Sequence, residues 1–91
     1  MIEATHIIVH GRVQGVWFRA GTKEQADELG LLGWVKNRLE GTVEIHAQGE
    51  KTQLEKFIAW CRKGTPAANV TSLDIEKVET RQEFTSFDIH S

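Results

Sequence analysis

Residues 32–48, LGWVKNRLEGTVEIHAQ, read as two strands folded back on each other. From Thr42 to Gln48 the residues alternate. Val43, Ile45 and Ala47 fall on one face, Thr42, Glu44 and His46 on the other. A period of two marks a half-buried strand, so the first set is expected inside and the second outside. Leu32 to Arg38 supplies the partner strand. Leu39, Glu40 and Gly41 join the two, with Gly41 suited to the left-handed position of a short hairpin loop.

Working outward, a helix pattern flanks this hairpin on each side. Phe18 to Leu29 places Phe18, Thr22, Ala26 and Leu29 on one helical face, and Gly30 follows as the residue that ends the helix. Beyond the hairpin, Thr52-Gln53-Leu54-Glu55 has the form of a capping box. Leu54, Phe57, Ile58 and Cys61 then recur at helical spacing until Gly64 and Pro66 stop the segment. Thr5 to His10 reads as a strand, with Ile7 and Val9 on one face and His6, Ile8 and His10 on the other. Val70 to Glu79 and Phe84 to Ile89 read as two more strands, whose irregular alternation predicts a bulge near Glu76 and Lys77. The order strand, helix, strand, strand, helix, strand predicts an α+β, ferredoxin-like βαββαβ sandwich. Its antiparallel sheet has four strands plus a fifth at the C-terminus, with two helices on one face and a right-handed first crossover.

The chain has 91 residues, enough for a single domain, residues 1–91, with one modest core. A net charge of -2 gives no bulk attraction to nucleic acid or to an anionic membrane, so any anion binding must be local. Cys61 is the only cysteine, which excludes an internal disulfide and suits a reducing compartment. It lies on the apolar stripe of the second helix, where a buried structural thiol is expected. No basic stretch followed by an apolar one opens the chain, and no apolar run approaches the roughly 20 residues that span a bilayer. The expectation is a cytoplasmic monomer with neither a membrane nor a nucleic-acid partner. His6, His10, His46 and His90 complete no metal-ligand pattern with carboxylates or thiolates, so they are expected at the surface, with no metal or other cofactor. Trp17, Trp34 and Trp60 lack the basic, strand-borne aromatic motifs of an RNA-binding sheet.

Between the first strand and the first helix lies GRVQGVWFRA, residues 11–20. A phosphate needs several converging N–H donors and a fixed positive charge. Successive amides in a glycine-containing turn make a nest, and a helix N-terminus adds free N–H groups and a favourable dipole. Arg19 offers a planar fork that fits two phosphate oxygens. The dipole disfavours an arginine in the first helical turn, so a bound anion explains it better than a solvated surface position does. Arg12 reads as a solvent-facing helper. The loop is neither a Walker loop nor a dinucleotide fingerprint.

The stretch Gly11-Arg12-Val13-Gln14-Gly15-Val16-Trp17-Phe18-Arg19 resembles the loop motif of the acylphosphatase family, G-x-V-Q-G-V-x-F-R. Gly33-Trp34-Val35-Lys36-Asn37, followed by Gly41, Val43 and Gly49, is similar to that family's second motif. The resemblance extends to Gly64-Thr65-Pro66-Ala67. It implies a metal-independent hydrolase that cleaves the carboxyl–phosphate bond of acyl phosphates, small-molecule substrates, to a carboxylate and inorganic phosphate. By the same resemblance, Arg19 matches the arginine that holds the substrate phosphate, and Asn37 the asparagine that orients the attacking water. The backbone amides of Gln14, Gly15, Val16, Trp17, Phe18 and Arg19 match the phosphate cradle. Two features depart from the family pattern: Glu40 stands where Asp or Asn is common, and the chain lacks the aromatic-rich tail of many relatives. The competing reading is a phosphate- or carboxylate-binding regulatory module of the same fold. Such a module needs Arg19 and the amides but not Asn37.

Overall fold

The computed structural model describes residues 1–90. Its elements are β1 (Ile2–Arg12), α1 (Phe18–Glu28), β2 (Leu32–Asn37), β3 (Val43–Glu50), α2 (Lys51–Lys63), β4 (Asn69–Val78) and β5 (Phe87–His90). The sheet order is β4-β1-β3-β2-β5. The hairpin forms as its alternation predicts, with Val35 opposite Ile45. Val43, Ile45 and Ala47 turn into the core, where Ile7 and Val9 join them from β1. Phe18 and Ala26 of α1, and Leu54, Phe57 and Cys61 of α2, pack against this same face. Both helices therefore cover one side of the sheet. Phe57 meets Phe87 edge-on at 6.1 Å between ring centres, which fastens β5 to the core.

The β4-β1, β1-β3 and β3-β2 pairings are antiparallel, but β5 runs parallel to β2, from Gly33 opposite Phe87 to Lys36 opposite His90. The path of the chain explains the difference from the antiparallel expectation. β4 finishes with Val78 beside Ala4, at the end of the sheet where β1 and β2 begin. Residues 79–86 cross that end and enter β5 next to the start of β2. The crossing is held by Gln48. Its side chain donates to the Arg81 carbonyl at 2.8 Å and accepts the Arg81 N–H at 2.9 Å.

This crossing also corrects the surface placement of His46. The residue lies on the helix-free face, as alternation requires, yet it is only 6% exposed. Phe84 packs on its ring at 4.9 Å and Trp34 at 6.3 Å. Phe84 is thereby diverted out of the last strand, which begins at Phe87 instead. His90 is exposed, His10 is half-buried beside Asp74, and His6 is half-buried against Glu44.

Two further expectations fail for local reasons. The bulge lies at His10 and Gly11, opposite Ser72 and Val70, and leaves Thr71 as the extra residue. The ladder near Glu76 and Lys77 is continuous. No capping box forms, because β3 runs directly into α2 and puts Thr52 inside the first turn. Glu50 takes the N-cap position without a capping bond, and its carboxylate pairs with the Met1 ammonium at 2.7 Å. β1 extends beyond Thr5–His10 because both its edges are paired, so ladder hydrogen bonds carry the strand past its alternating centre.

Two outcomes follow from this packing. A Cβ on Gly33 would lie 1.9 Å from the His46 carbonyl oxygen, at a φ of +136°. Gly33→Ala should lower the unfolding free energy by about 3 kcal/mol or more, measured by urea titration, because the obstacle is backbone in the neighbouring strand. Burial lowers the pKa of His46 below 6.5, helped by Arg81 and His6 and opposed by the Gln48 hydrogen bond. The unfolded chain therefore takes up this proton first as pH falls. The stability that His46 contributes is complete above pH 6.5 and is lost as pH drops through the lower folded value. The urea midpoint should fall less between pH 7.5 and 5 in His46→Gln than in the parent protein.

Candidate active site

The loop from Val13 to Trp17 joins β1 to α1. Val13 and Val16 are buried, as is Phe18 at the start of the helix, so apolar side chains anchor the loop from below. Gly15 has a φ of +72° and Trp17 a φ of +65°, with Val16 between them on the ordinary side. Alternating handedness of this kind turns successive N–H groups toward a common point. Among the described residues, none of the backbone N–H groups of 14–19 has a hydrogen-bond acceptor. Trp17 is the only non-glycine residue with positive φ among those described. That conformation costs an ordinary residue about 1–2 kcal/mol.

The loop is braced from two sides. Gln14 spends both amide hydrogens on the hairpin, donating to the Arg38 carbonyl at 2.7 Å and to the Thr42 carbonyl at 2.8 Å. From the other side, the Thr65 hydroxyl donates to the Val16 carbonyl at 2.7 Å. Neither brace was assigned from the sequence: Gln14 stood there as a backbone amide, and Thr65 had no role. A long-range side-chain bond leaves no trace in local periodicity. The only signal was the presence of both residues inside motif segments.

Arg19 is half-buried in the first turn of α1, and one guanidinium N–H donates to the His90 carbonyl at 3.3 Å. Asn37 closes β2. Its pleat position directs it to the same face as Val35. The Asn37 Oδ1 atom is buried and has no hydrogen-bond partner among the described residues. A buried acceptor left in this state is unfavourable by about 1–3 kcal/mol. Arg19 and Asn37 line one cleft of about 370 Å³, together with Gly15, Trp17, Phe18 and Ile89. The structure thus brings together the two side chains singled out in the sequence and half of the loop. The side chains of Gln14 and Val16 face their supports instead, and Arg12 lies outside, exposed at the end of β1.

The substitution of Glu at position 40 is accommodated in the hairpin. Its carboxylate accepts from the Thr42 hydroxyl at 3.0 Å and pairs with Arg38 at 2.8 Å. Its own backbone N–H, Thr42 and Arg38 hold the carboxyl below its ordinary range. Cys61 is fully buried, and burial pushes its thiol pKa well up, so it stays protonated and unreactive at neutral pH. Among the described residues, no three His, Cys, Asp or Glu side chains converge as metal ligands, and no helix is long and apolar enough to cross a membrane.

Fold and cleft define a ferredoxin-like α+β protein with a cleft at one end of its sheet, lined by Arg19, Asn37 and a loop whose amides lack acceptors among the described residues. The family profile of acylphosphatase matches residues 5–89. The acylphosphatase of Methylococcus capsulatus is 46% identical over 86 residues, 94% of each chain. That of Rhizorhabdus wittichii is 58% identical over 73 residues, 80% of this chain and 74% of its own. The crystal structure of acylphosphatase from Bacillus subtilis superposes with a TM-score of 0.94 over the whole of both chains, at 38% identity. The chain belongs to the acylphosphatase family, and its activity is the hydrolysis of acyl phosphates.

The Gln14 brace can be tested apart from the chemistry. Gln14→Leu keeps the volume and deletes two donated bonds, each with a net value of about 1 kcal/mol. The unfolding free energy should fall by about 2 kcal/mol in urea. Acetyl phosphate turnover, measured where the variant is fully folded, should fall about tenfold as the loop loses its register with β2.

Proposed function

We propose that Arg19 and the backbone amides of residues 14–19 hold the phosphoryl group while Asn37 orients the attacking water. The observation that carries this reading is the shared cleft: a fixed guanidinium, a run of N–H groups without acceptors, and a buried Asn37 oxygen without a donor. An anion satisfies the first two, and the O–H of a water satisfies the third. A regulatory binding module would have no use for that third group, which favours a hydrolytic site.

The chemistry asks for little more. An acyl phosphate is a mixed anhydride whose leaving group is a carboxylate, with a conjugate-acid pKa of roughly 4. It departs as an anion without a proton donor. Phosphoryl transfer rests on in-line positioning and on stabilising charge spread over the phosphoryl oxygens. The guanidinium and the preorganised amides supply the charge stabilisation. Asn37 supplies the positioning, and a substrate phosphate oxygen takes the water's proton. The water oxygen bonds to phosphorus as the bond to the carboxylate oxygen breaks, giving inorganic phosphate and the free carboxylate. No step calls for a metal or another cofactor. In this reading residues 1–91 act as one cytoplasmic unit. A single buried thiol with no disulfide partner suits a reducing compartment.

Arg19→Ala should abolish both turnover and competitive inhibition by inorganic phosphate. Arg19→Lys should also fail, since an ammonium cannot reproduce a two-pronged contact. Asn37→Ala should separate the two properties: phosphate still inhibits, while kcat falls about a hundredfold or more, comparable to the loss of one positioned donor. Steady-state kinetics with phosphate titration on the three variants measure this. Normal turnover by Asn37→Ala would remove the water-positioning role and leave Arg19 as the anchor.

A further inference from the structure

The cleft has two chemically distinct halves. Arg19 is its one charged side chain among the described residues, and Asn37 provides a polar amide beside it. The rest of the wall is apolar, and two of its large members are exposed: Trp17 at 81% and Ile89 at 43%. Most large apolar side chains of this protein are buried, so two exposed ones on a single small cleft call for an occupant. Trp17 is the more telling. Phe18 packs on Trp60, and Trp34 stacks with His46 and His90, but among the described residues Trp17 pairs with no other ring. It also holds the left-handed conformation that glycine adopts without strain. Neither packing nor backbone preference accounts for a tryptophan at this position.

We infer that Trp17 and Ile89 form the binding wall for the acyl half of the substrate and select acyl phosphates with flat, apolar acyl groups. This rests on the proposed seat of the phosphoryl group at Arg19 and residues 14–19. Trp17 belongs to that loop, so its ring stands beside whatever the bound phosphoryl group carries. An aromatic acyl group buries apolar surface there and stacks on the indole. An acetyl group is too small to cover the ring. An acyl group with a second carboxylate or phosphate meets apolar surface and, with Arg19 already engaged, finds no lining cation. The wall thus favours an aromatic acyl group over a small or a doubly charged one.

The test compares kcat/KM for benzoyl phosphate and acetyl phosphate in the parent protein and in Trp17→Ala, Trp17→Phe and Ile89→Ala. Competitive inhibition by inorganic phosphate reports the cradle separately. The benzoyl-to-acetyl ratio should fall about tenfold in Trp17→Ala, chiefly through the KM for benzoyl phosphate. It should recover most of that loss in Trp17→Phe and fall severalfold in Ile89→Ala. An unchanged ratio in Trp17→Ala and Ile89→Ala overturns the inference. So does an equal loss on both substrates with weakened phosphate inhibition, which would make Trp17 a shaper of the loop alone. Should Trp17→Ala not fold, Trp17→Phe and Ile89→Ala decide the matter by the same ratio. Failure of the underlying reading looks different: Arg19→Ala would then hydrolyse both substrates as well as the parent does, whatever the ratio.

Discussion

Two hydrogen bonds from one amide group set the geometry of the site. Arg19 enters on a helix and Asn37 leaves on a strand, and no bond between their side chains fixes their separation. Gln14 does so indirectly, because it ties the loop that leads into α1 to the carbonyls of Arg38 and Thr42, immediately beyond Asn37. Thr65 holds the same loop from the opposite side, at Val16. With both braces in place, the loop is fixed in shape by bonds to its neighbours, and its amides have no acceptor among the described residues. Preorganisation of this kind spares the reaction the reorganisation that a mobile loop would need.

The sheet explains why these parts meet at one end. β1 and β2 run in the same direction, joined by the α1 crossover, and β5 runs parallel to β2. The C-terminal ends of all three strands therefore lie together. β1 delivers the loop, β2 delivers Asn37, and β5 delivers Ile89 and the His90 carbonyl that receives Arg19. An antiparallel β5 would have brought its other end, Phe87, to the cleft. The direction of the last strand thus decides which of its ends reaches the cleft, and residues 79–86 determine it by crossing the opposite end of the sheet.

Most of the architecture was legible in the sequence because it rests on periodicity. The alternation of Val43, Ile45 and Ala47 and the helical stripe of Leu54, Phe57 and Cys61 each report a buried face directly. Arg19 and Asn37 could be singled out because they sit in the motif segments, and the structure places both on one cleft. What was not legible depends on distant partners. His46 alternates outward, but a segment almost forty residues further on covers it. Thr52 has the neighbours of a capping residue, yet the strand before it continues into the helix and leaves it no terminus to cap. The bulge belongs to the pairing of two strands rather than to either one, so irregularity near Glu76 was a poor guide to its place. Gln14 could be read as part of a loop, but not as the bond between that loop and the hairpin.

The central position of β1 carries a consequence for how the protein comes into being. Its residues pair with β3 on one side and with β4 on the other, and the Thr5 hydroxyl reaches the Glu76 carbonyl across 71 positions of the chain. Contacts of this span demand loop closure before they return any stability, which slows folding relative to proteins built from local contacts. The two motif segments fall within residues 11–49, yet Arg19 rests on a carbonyl at His90. A chain still lacking its last strand holds both motifs but not the Ile89 wall of the cleft or the carbonyl on which Arg19 rests, so the cleft is complete only when the C-terminal strand has docked.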